Sequence, residues 1–356
     1  MARPRVETSN GASAALLVAA ASGETELVGA LRHAVEDCPF QANGAFEADA
    51  ELLDVGGDEL LAITVDTLQA REELATATSG YGRGWLAATA SLSDLAAVGA
   101  RPVAVLTSCC FDPARIDTEE AQELGRGASD AARAQDAYLV GGDTNWSGEE
   151  SITSTAVGLV PRGRLLTRVG ASAGDALYAT GPVGGGNAAG ARSLLGEEAP
   201  SPWLPSARCA AGRALRDHAR ACIDTSDGLV TSALLLADLN GTGFEIDDAP
   251  GLYDPAGLAL ARRLGLPSWL LAAGEWGEFE LLLAVAPDAE AGCLEALAGV
   301  GAPAVRVGRL TAEPEFAIVR EDGSRVDALD VAQSLRSVER DGGLVAQLAA
   351  LVGRAG

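Results

Sequence analysis

The chain has 356 residues, 48% of them hydrophobic, and carries a formal net charge of −24 at pH 7. That length accommodates two domains with separate cores. The charge argues against a nucleic-acid binder or a protein docked on an anionic membrane, since both need clustered Arg and Lys. All 26 basic residues are arginine, which closes the P-loop G-x-x-x-x-G-K-[ST], the protein-kinase lysine and any Schiff-base lysine.

In chain order, residues 1–22 read as a loose extension. Its run "ASAALLVAAA" (12–21) follows two arginines and faintly resembles a secretory leader, but the run is short and ordinary amphipathic sequence follows it. A helix is expected at 24–36, a buried strand ending in an acid at 59–66, a helix at 80–100 and an apolar strand at 102–111. An amphipathic helix follows at 117–136, capped by Asp117 or Thr118. Strands at 137–143 and 151–160 complete an α+β domain placed at 23–160. The polar, Gly-rich stretch 161–175 reads as a boundary. A second α+β domain at 161–327 is expected to hold strands at 176–181, 221–224, 243–247, 279–286 and 304–310. Its helices are expected at 184–195, 206–219, 227–239, 254–264 and 288–299. Residues 328–356 form a tail, helical from about 328 to 353. No apolar run reaches the roughly 18–20 residues of a membrane span.

His33 and His218 are the two histidines, so His-rich metal sites are not expected. Cys38, Cys109, Cys110, Cys209, Cys222 and Cys293 form no C-x-x-C pair. They are read as reduced and mostly buried, in a cytoplasmic protein.

Four aspartates stand out against small, uncharged surroundings: Asp66 at the end of "ITVD", Asp94 in "SLSDLAAVGA", Asp143 at the end of "LVGGD" and Asp227 in "DTSDGL". Strand ends and helix starts are where side chains converge on a ligand. Mg²⁺ takes oxygen ligands and keeps phosphate oxygens and water in its shell. Asp94 and Asp227, read as helix starts, are equally open to a capping role. An acid ending an apolar strand, as read for Asp66 and Asp143, has no routine structural role.

"TGPVGGGNAAG" (180–190) precedes a helix whose free N–H groups suit a phosphate, or is simply a turn. Arg168 is a candidate phosphate partner or a loop arginine, because arginine must supply any cationic side chain here. "GEWGEFELLLAV" (274–285) gathers Glu275, Glu278 and Glu280 around Trp276 and Phe279. It reads as a substrate-pocket wall with stacking aromatics, or as a turn with solvated acids.

Together and in order, "GETELVGAL", "ITVDTL", "SLSDLAAVGARP", "YLVGGDT", "RVGASAGDALYATGPVGGG", "DTSDGL", "GEFELLL" and "VGRL" resemble the thiamine-monophosphate kinase family. That family lies within the superfamily of aminoimidazole ribonucleotide synthetase, selenophosphate synthetase and the hydrogenase maturation dehydratase. The resemblance spans about residues 23–320. It implies a two-domain α+β fold, with N-terminal strands pairing across a homodimer. It also implies ATP in a cleft near that interface and aspartate-held Mg²⁺ in place of a P-loop. Position by position, Asp49, Asp66, Asp94, Asp143 and Asp227 match metal-binding acids, with Asp143 and Asp227 expected to be catalytic. Gly142, Asp143, Arg168, Asp224 and Ser226 match the nucleotide-binding part. Trp276, Glu278 and Phe279 are the expected substrate residues.

Four departures from the family pattern stand out, two of them in segments expected near the acceptor. Ala48 replaces an acid of the Gly-Asp-Asp stretch. The "Val-Glu-Gly-x-His-Phe" segment reads "QAREEL" (69–74). The "Asn-x-Ser-Asp" element begins with Ser91, and "Gly-Gly-Glu-Asp-Tyr-Glu-Leu" reads "EWGEFEL" (275–281). Three readings follow: a kinase acting on thiamine monophosphate or a related small phosphate; an ATP-dependent synthetase that activates an amide or carbonyl oxygen for a nitrogen nucleophile; or a nucleotide-binding protein without turnover.

Overall fold

The computed structural model describes residues 31, 35–36, 38–69, 76–77, 79–197 and 202–336. The expected extension at 1–22, most of the 24–36 helix, most of "QAREEL" and the tail beyond 336 lie outside the described residues.

The first sheet has strand order β1-β2-β5-β3-β4, built from β1 (Glu51–Leu53), β2 (Glu59–Gln69), β3 (Arg101–Phe111), β4 (Tyr138–Trp146) and β5 (Ser151–Pro161). β3 and β4 run parallel, and the other neighbours are antiparallel. In β5 even-numbered residues are buried and odd-numbered ones half-exposed, the period-2 pattern of a sheet covered on one face. The cover is α1 (Gly80–Ala97) and α2 (Thr118–Ala134), whose Leu92, Leu95, Ala128 and Ala132 pack on Leu60, Val105, Ala156 and Val160.

The two helices touch through glycine. A Cβ on Gly84 would lie 1.9 Å from the Leu124 carbonyl oxygen, and one on Gly127 the same distance from that of Tyr81. Ser79 Oγ caps α1 by accepting from Gly82 N, and Asp117 caps α2 by accepting from Glu120 N.

The second sheet has order β12-β11-β8-β10-β6-β9-β7. Its strands are β6 (Ala176–Ala179), β7 (Ala221–Asp224), β8 (Gly243–Asp248), β9 (Leu281–Val285), β10 (Val305–Thr311), β11 (Phe316–Arg320) and β12 (Arg325–Asp327). The helices of this region are α3 (Gly185–Leu194), α4 (Cys209–Leu215), α5 (Leu229–Leu239), α6 (Pro255–Leu264), α7 (Leu270–Ala273), α8 (Glu290–Gly299) and α9 (Ala328–Arg336). One core joins β6, β8, β10 and β11 to α5, α7 and α9 around the fully buried Trp269. A second places Tyr178, Cys222, Leu281, Leu283 and Leu297 in one cluster with α1, α2 and α4. Both faces of the second sheet are therefore covered, and α1 is shared by the two halves. Gly212 of α4 approaches α1 so closely that a Cβ would lie 1.9 Å from the Ala96 carbonyl oxygen.

Several expectations change. Asp94 does not begin a helix: it sits in the last turn of α1, where its carbonyl accepts from Val98 N. Asp66 and Asp143 lie inside strands that run on to Gln69 and Trp146, because the polar residues after them still pair across the sheet. Asp227 precedes α5 by two residues, Gly228 being the residue before its first turn. The 206–219 helix shortens to Cys209–Leu215. β1, β11 and β12 were not anticipated; two of them are three-residue strands, too short to show a period. The tail helix expected from 328 is present over Ala328–Arg336, and its Ala328, Val331 and Ala332 enter the core. The six cysteines are free thiols, four of them buried. Among the described residues no helix is long and apolar enough to cross a membrane.

Candidate active site

An acidic cluster forms where the N-terminal sheet, the end of α1 and the end of β7 meet. Even-numbered residues of β2 face α1. This puts Thr64 beside the end of the helix, where its hydroxyl donates to Asp94. Asp66, two residues on, shares that face. Asp49 arrives from the segment before β1, and Asp224 is the last residue of β7. One carboxylate oxygen from each of Asp49, Asp94 and Asp224 lies within 4.8 Å of the others.

The contacts inside the cluster are specific. Asp49 Oδ1 accepts from an Arg168 terminal nitrogen at 2.8 Å and from Asp224 N at 3.4 Å. Ser226 Oγ donates to Asp224 Oδ1 at 2.9 Å. The Asp49 side chain is 1% exposed and Asp224 is 3% exposed. The second oxygen of each, Oδ2, is buried with no hydrogen-bond partner. Buried acceptors are ordinarily satisfied, so two unpartnered carboxylate oxygens within one cluster fit a bound cation.

The electrostatics agree. Burial, then the charges of Asp66, Asp224 and Asp49, push the Asp94 carboxyl well above the ordinary range, against the pull of Thr64. Burial and Asp49 push Asp224 up to about 7, with Ser93 and Ser226 opposing. Burial works against the Arg168 charge, but Asp49, Asp224 and Asp94 outweigh it and raise its pKa. One arginine faces four acids. A divalent ion offsets that excess directly, and oxygen-only donors suit Mg²⁺.

Thus the fold brings together Asp49, Asp66, Asp94, Arg168, Asp224 and Ser226. It does not bring Asp143, Gly142 or Asp227 to the same spot within one chain. Asp66 pairs across the sheet with Ser154, whose buried hydroxyl donates to the Ala87 carbonyl of α1. Asp143 pairs with Ser108, which pairs with Thr153, which pairs with Thr67. Those four residues form a polar row on the face away from the helices. Asp143 is exposed there and accepts from Asn145 Nδ2 at 2.7 Å. Gly142 lies against β3 so tightly that a Cβ would lie 1.7 Å from the Thr107 carbonyl oxygen. Asp227 is exposed just past Ser226.

The expected substrate wall is built differently. Glu278 is buried and accepts from Gly186 N at 3.1 Å, Asn187 N at 3.3 Å and Asn187 Nδ2 at 3.2 Å. The free N–H groups that the Gly-rich turn was expected to offer a phosphate are therefore taken by the chain's own carboxylate. Burial pushes Glu278 up to about 7, against the backbone N–H groups of Gly186, Asn187 and Gly184. Phe279 is no stacking surface: it is 3% exposed and its side chain joins Leu68, Leu86, Ala90, Phe111 and Ile152 of the N-terminal half. It does so at φ 57, an uncommon conformation for a bulky residue. The Trp276 ring lies over Gly190 of α3.

Sequence reasoning missed Thr64 and the Arg208–Glu280 ion pair, which Thr180 supports by donating to Glu280 at 2.7 Å. Thr64 was discoverable, since it precedes Asp66 by two on a strand. Arg208 carried no local signal.

Residues 47–160 match the family model described as AIR synthase related protein, N-terminal domain, and residues 172–321 match the AIR synthase related protein, C-terminal domain. The chain is similar to thiamine-monophosphate kinase of Escherichia coli (strain K12), with 33% identity over 323 residues covering 86% of this chain and 96% of that one. The crystal structure of thiamine-monophosphate kinase from Stenotrophomonas maltophilia K279a superposes with a TM-score of 0.66 at 26% identity, covering 83% of this chain and 96% of that one. A structure described as AaThiL complexed with AMPPCP and TMP shares the fold at a TM-score of 0.71 and 21% identity, over 85% and 94% of the two chains. The chain belongs to the AIR synthase-related superfamily, with thiamine-monophosphate kinases among its relatives.

Proposed function

We propose that this member of the AIR synthase-related superfamily is an ATP- and Mg²⁺-dependent small-molecule phosphotransferase resembling thiamine-monophosphate kinase. The observation that carries the reading is the cluster of Asp49, Asp94 and Asp224, in which Asp49 and Asp224 each keep one buried oxygen without a hydrogen-bond partner. Asp49, Asp94 and Asp224 would hold the ion, with Asp66 adjoining. The ion's contribution is to neutralise the nucleotide's phosphate charge. The chain's own groups do the rest. Arg168 offers a guanidinium at the rim of the cluster, Ser226 a hydroxyl, and the β2–α1 packing keeps the acids from relaxing apart. Phosphoryl transfer depends mainly on positioning and charge neutralisation, so a site without lysine is sufficient.

The face of the first sheet away from α1 and α2 supports the expected homodimer. Val65 and Leu106, 64% and 38% exposed, lie in one row there, both paired with Thr155 of β5, and Val140 on β4 is 61% exposed. Asp143 and Gly142 belong to the same part of the sheet. Their proposed nucleotide role therefore requires a site completed where two copies meet.

A second reading, the synthetase outcome, is favoured by the altered acceptor segments and by the internal engagement of Glu278 and Phe279. One assay separates them. Purified protein is incubated with Mg²⁺–ATP and either thiamine monophosphate or an amide or carbonyl substrate with a nitrogen nucleophile, and products are followed by ³¹P NMR. A kinase yields ADP and a phosphorylated acceptor. A synthetase yields ADP and inorganic phosphate only with an amide or carbonyl substrate and a nitrogen nucleophile together. Nucleotide binding with neither product would reduce the protein to a binder.

A further inference from the structure

The connector between the two halves, residues 162–175, carries Arg168 and is held from both sides. On the N-terminal side Arg168 N donates to the Glu47 carbonyl at 2.8 Å. On the other side stands Asn240, the residue that ends α5. Its Oδ1 accepts from Gly170 N at 2.8 Å and Ala171 N at 2.9 Å. Its Nδ2 donates to the Arg168 carbonyl at 2.8 Å and to the Leu236 carbonyl at 2.7 Å.

All four bonds are to backbone, and three are to the connector itself. The amide orientation is fixed by this set, since the flipped form would face its nitrogen toward two N–H groups and its oxygen toward two carbonyls. Only a side chain with a donor pair and an acceptor fits. The connector is tight here: Gly170 has φ 118, and a Cβ on it would lie 2.7 Å from the Arg220 carbonyl oxygen.

We infer that Asn240 is a positioning residue for the nucleotide site: it sets the backbone of Arg168, and through it the guanidinium that meets Asp49. The consequence for nucleotide binding rests on the function proposed above; the coupling to Arg168 does not. The Arg168 side chain is only 16% exposed and is paired with a buried Asp49, so a shift of its backbone is felt at that ion pair. The hydrogen bonds of the Asn240 side chain go to backbone groups and to no carboxylate, so it acts on the site through the connector.

The test is a double-mutant cycle on the full chain, using Asn240→Ala and Arg168→Gln. Asn240→Asp is included as a near-isosteric variant that keeps the acceptor and loses both donors. Thermal unfolding is measured without ligand, and the affinity for Mg²⁺ with a non-hydrolysable ATP analogue is measured by calorimetry. The inference expects Asn240→Ala and Asn240→Asp each to weaken analogue binding roughly tenfold, the scale of interaction energies between coupled sites. Neither should weaken it further when Arg168 is already Gln, and the ligand-free Tm losses should be less than additive. Fully additive effects, or a lowered Tm with wild-type analogue affinity, would overturn it. Failure of the unaltered protein to bind the analogue would instead sink the functional reading, and the ligand-free cycle alone would still decide whether Asn240 acts through Arg168.

Discussion

Arg168 reaches 2.8 Å from Asp49 Oδ1 while the other oxygen of Asp49 stays buried without a partner. A cationic side chain thus satisfies one edge of the acid cluster and leaves the interior edge open. A buried carboxylate is costly unless it is paired, so the unpartnered oxygen fits further positive charge, a proton or a cation.

The ligand-free protein should lose stability as pH rises toward neutrality. Burial and Asp49 lift Asp224 from an ordinary value of 3.8 to about 7. A raised folded-state pKa means that the native protein holds the proton more tightly than the unfolded chain does. The contribution of Asp224 is therefore fully present below pH 3.8 and is lost as pH climbs through about 7. Thermal unfolding in EDTA between pH 5 and pH 8 checks this. Asp224→Asn should flatten the decline and stabilise the ligand-free protein at pH 8 by on the order of 1–3 kcal/mol. Added Mg²⁺ should stabilise the unaltered protein more at pH 8 than at pH 5, because its ligands must be deprotonated.

Phe279→Ala should cost about 3–5 kcal/mol in urea unfolding, the range for emptying an aromatic site in a core. The side chain fills a cluster made almost entirely by the N-terminal half, so the loss falls on the docking of the two halves. A cost below about 1 kcal/mol would show that this packing is not formed in solution.

Glu278→Ala should destabilise by about 1–3 kcal/mol, because it strands the buried Gly186 and Asn187 N–H groups at the start of α3. Glu278→Gln keeps an acceptor and should cost less. If both variants retain full stability and lose only activity, Glu278 faces substrate and the structural role assigned here is wrong.

Asp143→Asn should leave stability within roughly 0.5 kcal/mol, as expected for an exposed surface position. It should nevertheless abolish turnover if the nucleotide site is completed at a contact between two copies. Activity at wild-type level would remove Asp143 from the site.

Much of the architecture was readable because period and punctuation were clear. "ELLAITVD", the capped helix after Asp117 and the strand "ACID" all carry their signals locally. The resemblance put Asp49 and Asp94 among the metal-binding acids, but it gave the third such place to Asp227 and matched Asp224 to the nucleotide-binding part; spacing alone could not show that residues up to 175 apart share one point. The error over Asp94 has a simple cause: Ser-Asp is a capping pair in isolation, but the helix begins earlier, at Ser79, and runs through it. Phe279 and Glu278 misled for a related reason. An acidic-aromatic cluster looks the same in sequence whether it faces a ligand or caps and plugs its neighbours. Asn240 gave no sign of its role, since three of its four partners are backbone groups about 70 residues away.

The central claim is that Asp49, Asp94 and Asp224 jointly hold a divalent cation. Anomalous scattering from crystals grown with Mn²⁺ and a non-hydrolysable ATP analogue tests it most directly. A peak within bonding distance of carboxylate oxygens from all three residues, absent in Asp94→Asn crystals, is the expected result. Electron density for the nucleotide with no anomalous peak at these three carboxylates would contradict it.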